Sequence, residues 1–148
     1  MHTIHVIATT DEGTRRALME AQRLSEAFVG RRIVVLVPHQ VSYATPSIDP
    51  AEAPAIITER YRTLVSKVGI EASVRLCFCR HEDDAFRWLL VKESIVVIGG
   101  RRRKWWPSHA ERVARRLTKV GHQVIFATVT PELRPAGPTG LLNVARRV

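Results

Sequence analysis

Two short runs, RIVVLV at 32–37 and SIVVIG at 94–99, are apolar almost from end to end. A strand with no polar face must be covered on both sides, which is the situation of a parallel sheet with helices packed over each surface. The rest of the chain supplies what such a sheet needs. TIHVIA (3–8) and QVIFATV (123–129) read as further strands, and IEASVRLCFC (70–79) alternates apolar and polar residues as a half-exposed edge strand does. Four segments with helical spacing lie between the strands. The first spans 14–28, with Ala17, Ala21, Leu24 and Phe28 on one face and Gly30 as its stop; the second carries Ile57, Tyr61, Leu64 and Val68 and ends at Gly69. Its start is open, because Asp49-Pro50 makes a good cap while Pro54 would remove a hydrogen bond from a helix begun there. Ala85, Trp88 and Leu89 suggest a third, short helix. The fourth begins at Ser108, where Glu111 completes a capping box, and sets Ala110, Val113, Ala114, Leu117 and Val120 against Arg112, Arg115, Arg116 and Lys119.

Five strands joined by four helices predict an α/β domain with a five-stranded parallel sheet sandwiched by helices, over residues 1–129. A proline-bearing loop is expected from Pro38 to Asp49. Residues 130–148 form a Pro/Gly-rich linker and a short basic tail, whose removal from 131 onward should leave the fold intact. At 148 residues and 45% hydrophobic content the chain can bury a core of its own. No apolar run reaches the roughly 18 residues of a membrane span, and MHTIHVIATT lacks the features of a signal peptide, so a cytoplasmic protein is expected. Cys77 and Cys79 fall on one face of a strand and are expected to be reduced packing thiols.

Charge is distributed unevenly. Residues 1–98 hold 12 Lys/Arg and 12 Asp/Glu, whereas residues 99–148 hold 11 and 2, so the whole excess of +9 follows the double glycine. That asymmetry suits an anionic partner for the last third: a phosphate-containing ligand, an acidic protein, a membrane surface or nucleic acid; a solvated basic face that aids solubility is the plainer reading.

In open α/β sheets ligands bind beyond the carboxyl ends of the strands, where the winding reverses. If the first and fourth strands are the central neighbours, that crevice lies between ATTDEGT (8–14) and GGRRRKWWPSH (99–109). Candidate binding residues are therefore Thr9, Asp11, Gly99, Gly100, Arg101, Arg102, Arg103, Ser108 and His109. The glycines permit close approach of backbone N–H groups to a phosphate, and the guanidiniums stand beside the N-terminus of a helix, whose free N–H groups also favour anions. Trp105 and Trp106 either stack on a base or partner, or cover the core or a subunit contact. His5, inside a central strand, is expected to be a hydrogen-bonded core residue. No Ser–His–Asp, paired-carboxylate or metal-ligand spacing stands out, so the chain is expected not to be an enzyme.

SIVVIGG, PSHAERVARRL and QVIFATV, in this order and spacing, resemble the C-terminal part of the universal stress protein family, and the likeness extends over roughly 3–129. The resemblance implies an adenine-nucleotide α-hydrolase-like, Rossmann-like fold with strand order 3-2-1-4-5, ATP as a ligand of the nucleotide-binding branch, and a homodimer through the fifth strand. That branch follows its fourth strand with a glycine, two residues, a second glycine, nine residues, then glycine and a hydroxyl residue. Matched here, the positions fall on Gly99, Arg102, Pro107 and Ser108, with only Arg103 to Trp106 where the family has nine residues. The aspartate that the family places after its first strand falls on Thr9, with Asp11 two residues on. The resemblance thus implies a non-enzymatic stress-protein-like regulatory or binding module; the departures from its motif point to weak or lost ATP binding, and the arginines to a basic turn for ATP or another phosphate-containing anion. The alternative is a basic protein for nucleic acid that uses the fold as a scaffold.

Overall fold

A computed structural model of the chain describes residues 3–28, 30–41, 53–91 and 94–130. The elements alternate throughout: β1 (Ile4–Ile7), α1 (Asp11–Ala27), β2 (Ile33–Gln40), α2 (Pro54–Val68), β3 (Ser73–Cys79), α3 (Glu82–Leu89), β4 (Ile95–Gly100), α4 (His109–Val120) and β5 (Gln123–Thr128). All strands run parallel in one five-stranded sheet of order β3-β2-β1-β4-β5, as expected. Among the described residues no helix is long and apolar enough to cross a membrane. The expected linker and tail lie, beyond Thr130, outside the described residues.

Each face of the sheet has its own core. Ile4, Val6, Val35, Val37 and Val97 pack under α1 and α2, where Ala17, Leu18, Ala21, Tyr61 and Val65 are buried. Ile7, Leu36, Val96 and Ile98 face α3 and α4 through Phe86, Leu90, Ala110, Val113 and Leu117. Successive residues of β1, β2 and β4 thus serve opposite cores, and this is why those strands tolerate no polar face. Full burial of a Leu, Ile or Val stabilises by about 1.5–3 kcal/mol, so these layers supply most of the drive to fold.

Several local expectations are corrected. Helix α1 starts at Asp11, not 14: the Thr10 hydroxyl accepts from the Gly13 N–H at 3.0 Å and caps it. Phe28 is the exposed C-cap of α1, with extended backbone, and does not extend its buried stripe. The second helix begins at Pro54, which occupies the first turn, where its missing N–H has no partner to lose. Trp88 and Val120 point to solvent, and α3 buries Ala85 and Phe86 instead. The loop expected from Pro38 begins later, because β2 continues to Gln40 beside Cys77, Phe78 and Cys79. Leu36 accepts from the Ala8 N–H, so even-numbered residues of β2 turn their backbone polar groups toward β1. At Pro38 the donor that would reach the Ala8 carbonyl is missing, so the β1–β2 ladder ends there while β2 continues beside β3.

His5 is buried, as expected for a core residue, yet its Nδ1 has no hydrogen-bond partner. Burial first, then the Arg75 guanidinium and the His122 imidazole, hold its pKa below the ordinary value of 6.5. A neutral, buried imidazole with a depressed pKa makes protonation favour the unfolded chain. The His5 contribution should therefore be fully present above the ordinary pKa and decline as pH falls below it toward the folded-state value. Urea unfolding at pH 7.5 and at about pH 5.5 checks this, with His5→Phe expected to flatten part of the difference.

Candidate functional site

The loops after β1 and β4 enclose a cleft of about 810 Å³ at the carboxyl ends of the strands. Its walls include Thr9, Asp11, Gly99, Gly100, Arg101, Arg103, Ser108 and His109, eight of the nine residues singled out from the sequence. Arg102 is the exception. Its guanidinium lies 4.7 Å over the Phe126 ring and its Nε donates to Thr128 Oγ1 at 3.2 Å, which places it on the β5 flank. A groove of similar volume opens at the opposite end of the sheet around His5, Arg32 and Arg75. Sheet topology favours the cleft as the ligand site, because the winding reverses between β1 and β4 and only their carboxyl ends are flanked by helix N-termini.

The glycine pair also serves helix packing. A Cβ on Gly99 would overlap the Gly13 carbonyl oxygen and sit 2.7 Å from its carbon. A Cβ on Gly100 would lie 2.5 Å from Ala110 Cβ. Neither glycine has a positive φ. Their smallness lets α1 and α4 approach the end of β4, while both glycines still line the cleft.

Thr9, which stands where the family places an aspartate, binds the two loops together. Its hydroxyl donates to the Gly99 carbonyl at 2.7 Å and its N–H donates to Thr14 Oγ1 at 3.0 Å. Asp11 does reach the cleft, in the first turn of α1, and pairs with Arg60 of α2 at 2.8 Å. Glu12 faces Arg101 at 3.7 Å, and His109 Nε2 lies 2.9 Å from a Glu82 oxygen. These pairs are exposed on at least one side and hold little energy, so a ligand can exchange them at small cost.

Helix α4 starts with the expected capping box: Ser108 Oγ accepts from the Glu111 N–H at 3.2 Å, and Glu111 Oε1 accepts from the Ser108 N–H at 3.1 Å. The same carboxylate oxygen also accepts from the Arg103 N–H at 2.9 Å. These two backbone bonds, Arg103 first, hold the Glu111 carboxyl below the usual range. An internal carboxylate therefore occupies the Arg103 and Ser108 backbone donors at the start of α4. Sequence reasoning missed this second bond, along with Arg60, Tyr61 and Glu82 in the cleft wall. The capping box was visible as a pattern; the fold of the turn back onto Glu111 was not.

Geometry of this kind defines an open, doubly wound α/β domain with a crevice at its topological switch point that is lined by arginines and carboxylates. The sequence matches no protein-family model and no curated protein. Solved structures narrow the class. A protein of the universal stress protein family from Burkholderia pseudomallei superposes with a TM-score of 0.50 at 19% identity, over 83% of this chain and 94% of the other. A universal stress protein family protein from Arabidopsis thaliana with AMP bound gives 0.57 at 11% identity, over 94% and 99%. A universal stress protein in complex with cAMP gives 0.52 at 13% identity, over 88% and 98%. The chain has the universal stress protein fold.

Proposed function

We propose that this chain is a non-enzymatic, universal-stress-protein-like binding module of the cytoplasm, whose cleft takes adenine nucleotides weakly and phosphate-bearing anions through charge. The observation that carries this reading is the convergence of Arg101, Arg103 and the capped N-terminus of α4 on the cleft that also holds Thr9 and Asp11. Proteins of the same fold with AMP and with cAMP bound support a nucleotide-sized ligand. Weakness follows from the packing: Gly99 and Gly100 serve helix contacts, and Glu111 already engages the Arg103 and Ser108 N–H groups. Guanidiniums remain, and they attract phosphate without a backbone cradle.

Calorimetry with magnesium-ATP and with tripolyphosphate tests the reading. Weak binding of both, falling as salt rises, is the expected result; sub-micromolar, magnesium-dependent ATP binding would overturn it.

The module is further proposed to be a homodimer paired through β5. That strand is a sheet edge whose Val124, Ile125 and Phe126 are only partly buried, and an apolar edge left open invites pairing. Sedimentation should show a dimer at micromolar concentration, and a monomer there would exclude this interface.

A further inference from the structure

The basic turn carries a feature that the cleft does not use. Trp105 and Trp106, consecutive in the chain, are 83% and 78% exposed. Neither lines the cleft, nor the groove in which Arg112, Arg115 and Arg116 of α4 face Glu82 and Asp83. Both rings thus stand on the outside of an irregular turn, where water meets a large apolar surface. Cations flank them: Arg101, Arg103 and Lys104 precede the pair and are exposed, and Lys104 Nζ lies 5.8 Å over the Trp105 ring. Nearby acids are already engaged, Glu111 by backbone donors and Glu12 by Arg101. The turn therefore presents net positive charge together with two indoles.

Two anionic macromolecules suit cations mixed with aromatics, namely a lipid bilayer and single-stranded nucleic acid. A single-strand binder sets its aromatic rings along a basic groove that tracks the backbone. Here the indoles are largely exposed and line neither the cleft nor the groove beside α4. A bilayer asks for the opposite shape, a protrusion, and indole rings favour the headgroup level because one edge is polar and the body apolar. One apolar insertion combined with a polybasic patch is also the pairing that gives useful membrane affinity when neither suffices alone.

We propose that the turn 101–106 docks the domain on an anionic bilayer surface, with Trp105 and Trp106 seated among the headgroups and Arg101, Arg103 and Lys104 facing lipid phosphates. Arg101 and Arg103 also line the cleft, whereas Lys104, Trp105 and Trp106 lie outside it, so variants of these three residues test docking apart from the nucleotide reading. Binding is reversible and salt-sensitive, because both contributions are small.

The test uses the full chain carrying Trp88→Phe, since Trp88 is also 83% exposed and would mask the signal. The protein should sediment with phosphatidylcholine vesicles containing about 30% phosphatidylglycerol at physiological salt and stay in solution with phosphatidylcholine alone. Its tryptophan emission should shift to the blue and be quenched by brominated acyl chains. Adding Trp105→Ser and Trp106→Ser should weaken vesicle binding at least about tenfold, and Lys104→Ser should weaken it further, with thermal midpoints unchanged because the side chains are exposed. The proposal is overturned by an absence of binding to anionic vesicles, or by binding that survives loss of both indoles. Emission that responds to oligo-deoxythymidine but not to vesicles would overturn it in favour of a single-strand platform. A blue shift that grows with protein concentration in the absence of lipid would instead show a second copy covering the pair.

Discussion

Gly99→Ala should destabilise the domain by about 4 kcal/mol or more, a large share of the about 5–15 kcal/mol that whole domains hold. The added methyl would collide with the Gly13 carbonyl and lie 3.2 Å from the Ala17 nitrogen, and both neighbours are backbone of α1. No rotamer change relieves such a clash. The helix must leave β4, opening the core around Ala17, Leu18 and Val97 and breaking the bond from the Thr9 hydroxyl to the Gly99 carbonyl. Since φ at Gly99 is not positive, the whole effect comes from space. Gly69→Ala serves as the contrast: φ there is +77° and no atom lies within 4 Å, so only about 1 kcal/mol of backbone strain is expected. At Gly100 the obstacle is the Ala110 Cβ, so Ala110→Gly should recover part of the loss from Gly100→Ala, less about 1 kcal/mol for glycine within a helix. Urea unfolding midpoints check all four variants. A Gly99→Ala loss below about 1 kcal/mol would show that α1 slides freely and that the packing account is wrong.

The same contact shows where sequence reasoning stopped. RIVVLV and SIVVIG announce buried strands because burial on both faces leaves a mark on every residue, and Ser108 with Glu111 announces a cap because both partners lie within one turn. The pairing of Gly99 with Gly13 leaves no comparable mark: the residues are far apart in the chain, and a glycine beside a ligand looks the same in sequence as a glycine beside a helix. Strand order likewise came from the family likeness, since local patterning is identical for any arrangement of buried strands. Phe28 and Trp88 fit a helical period yet lie exposed, because the period gives the direction of a side chain and not whether a neighbour covers it. The candidate site was legible as two loops at one end of the sheet. The partners Arg60 and Glu82, each contributed by a separate helix, were not.

Arg102 is the residue on which loop sequence and geometry part, and it sets the second large effect. Replacing Arg101, Arg102 and Arg103 together with serine should abolish tripolyphosphate binding, but the three side chains should not contribute equally. Arg101 and Arg103 line the cleft, whereas Arg102 rests on Phe126 and Thr128. Arg101→Ser with Arg103→Ser should therefore lose nearly all that the triple variant loses, and Arg102→Ser alone should change affinity less than about threefold. Stability should separate in the opposite sense. The ring contact of Arg102 contributes about 0.5–1 kcal/mol, while the exposed 3.7 Å pairing of Arg101 with Glu12 contributes little, so Arg102→Ser should lower the unfolding midpoint more than the double variant does. Attraction through exposed guanidiniums is screened over about 8 Å at physiological salt, so wild-type affinity should fall markedly between about 50 and 300 mM salt and that slope should flatten in the double variant. Calorimetry at both salt concentrations decides it. Polyanion binding that the double variant retains would remove the arginines from the site, and a loss caused by Arg102→Ser alone would place the ligand on the β5 flank instead of in the cleft.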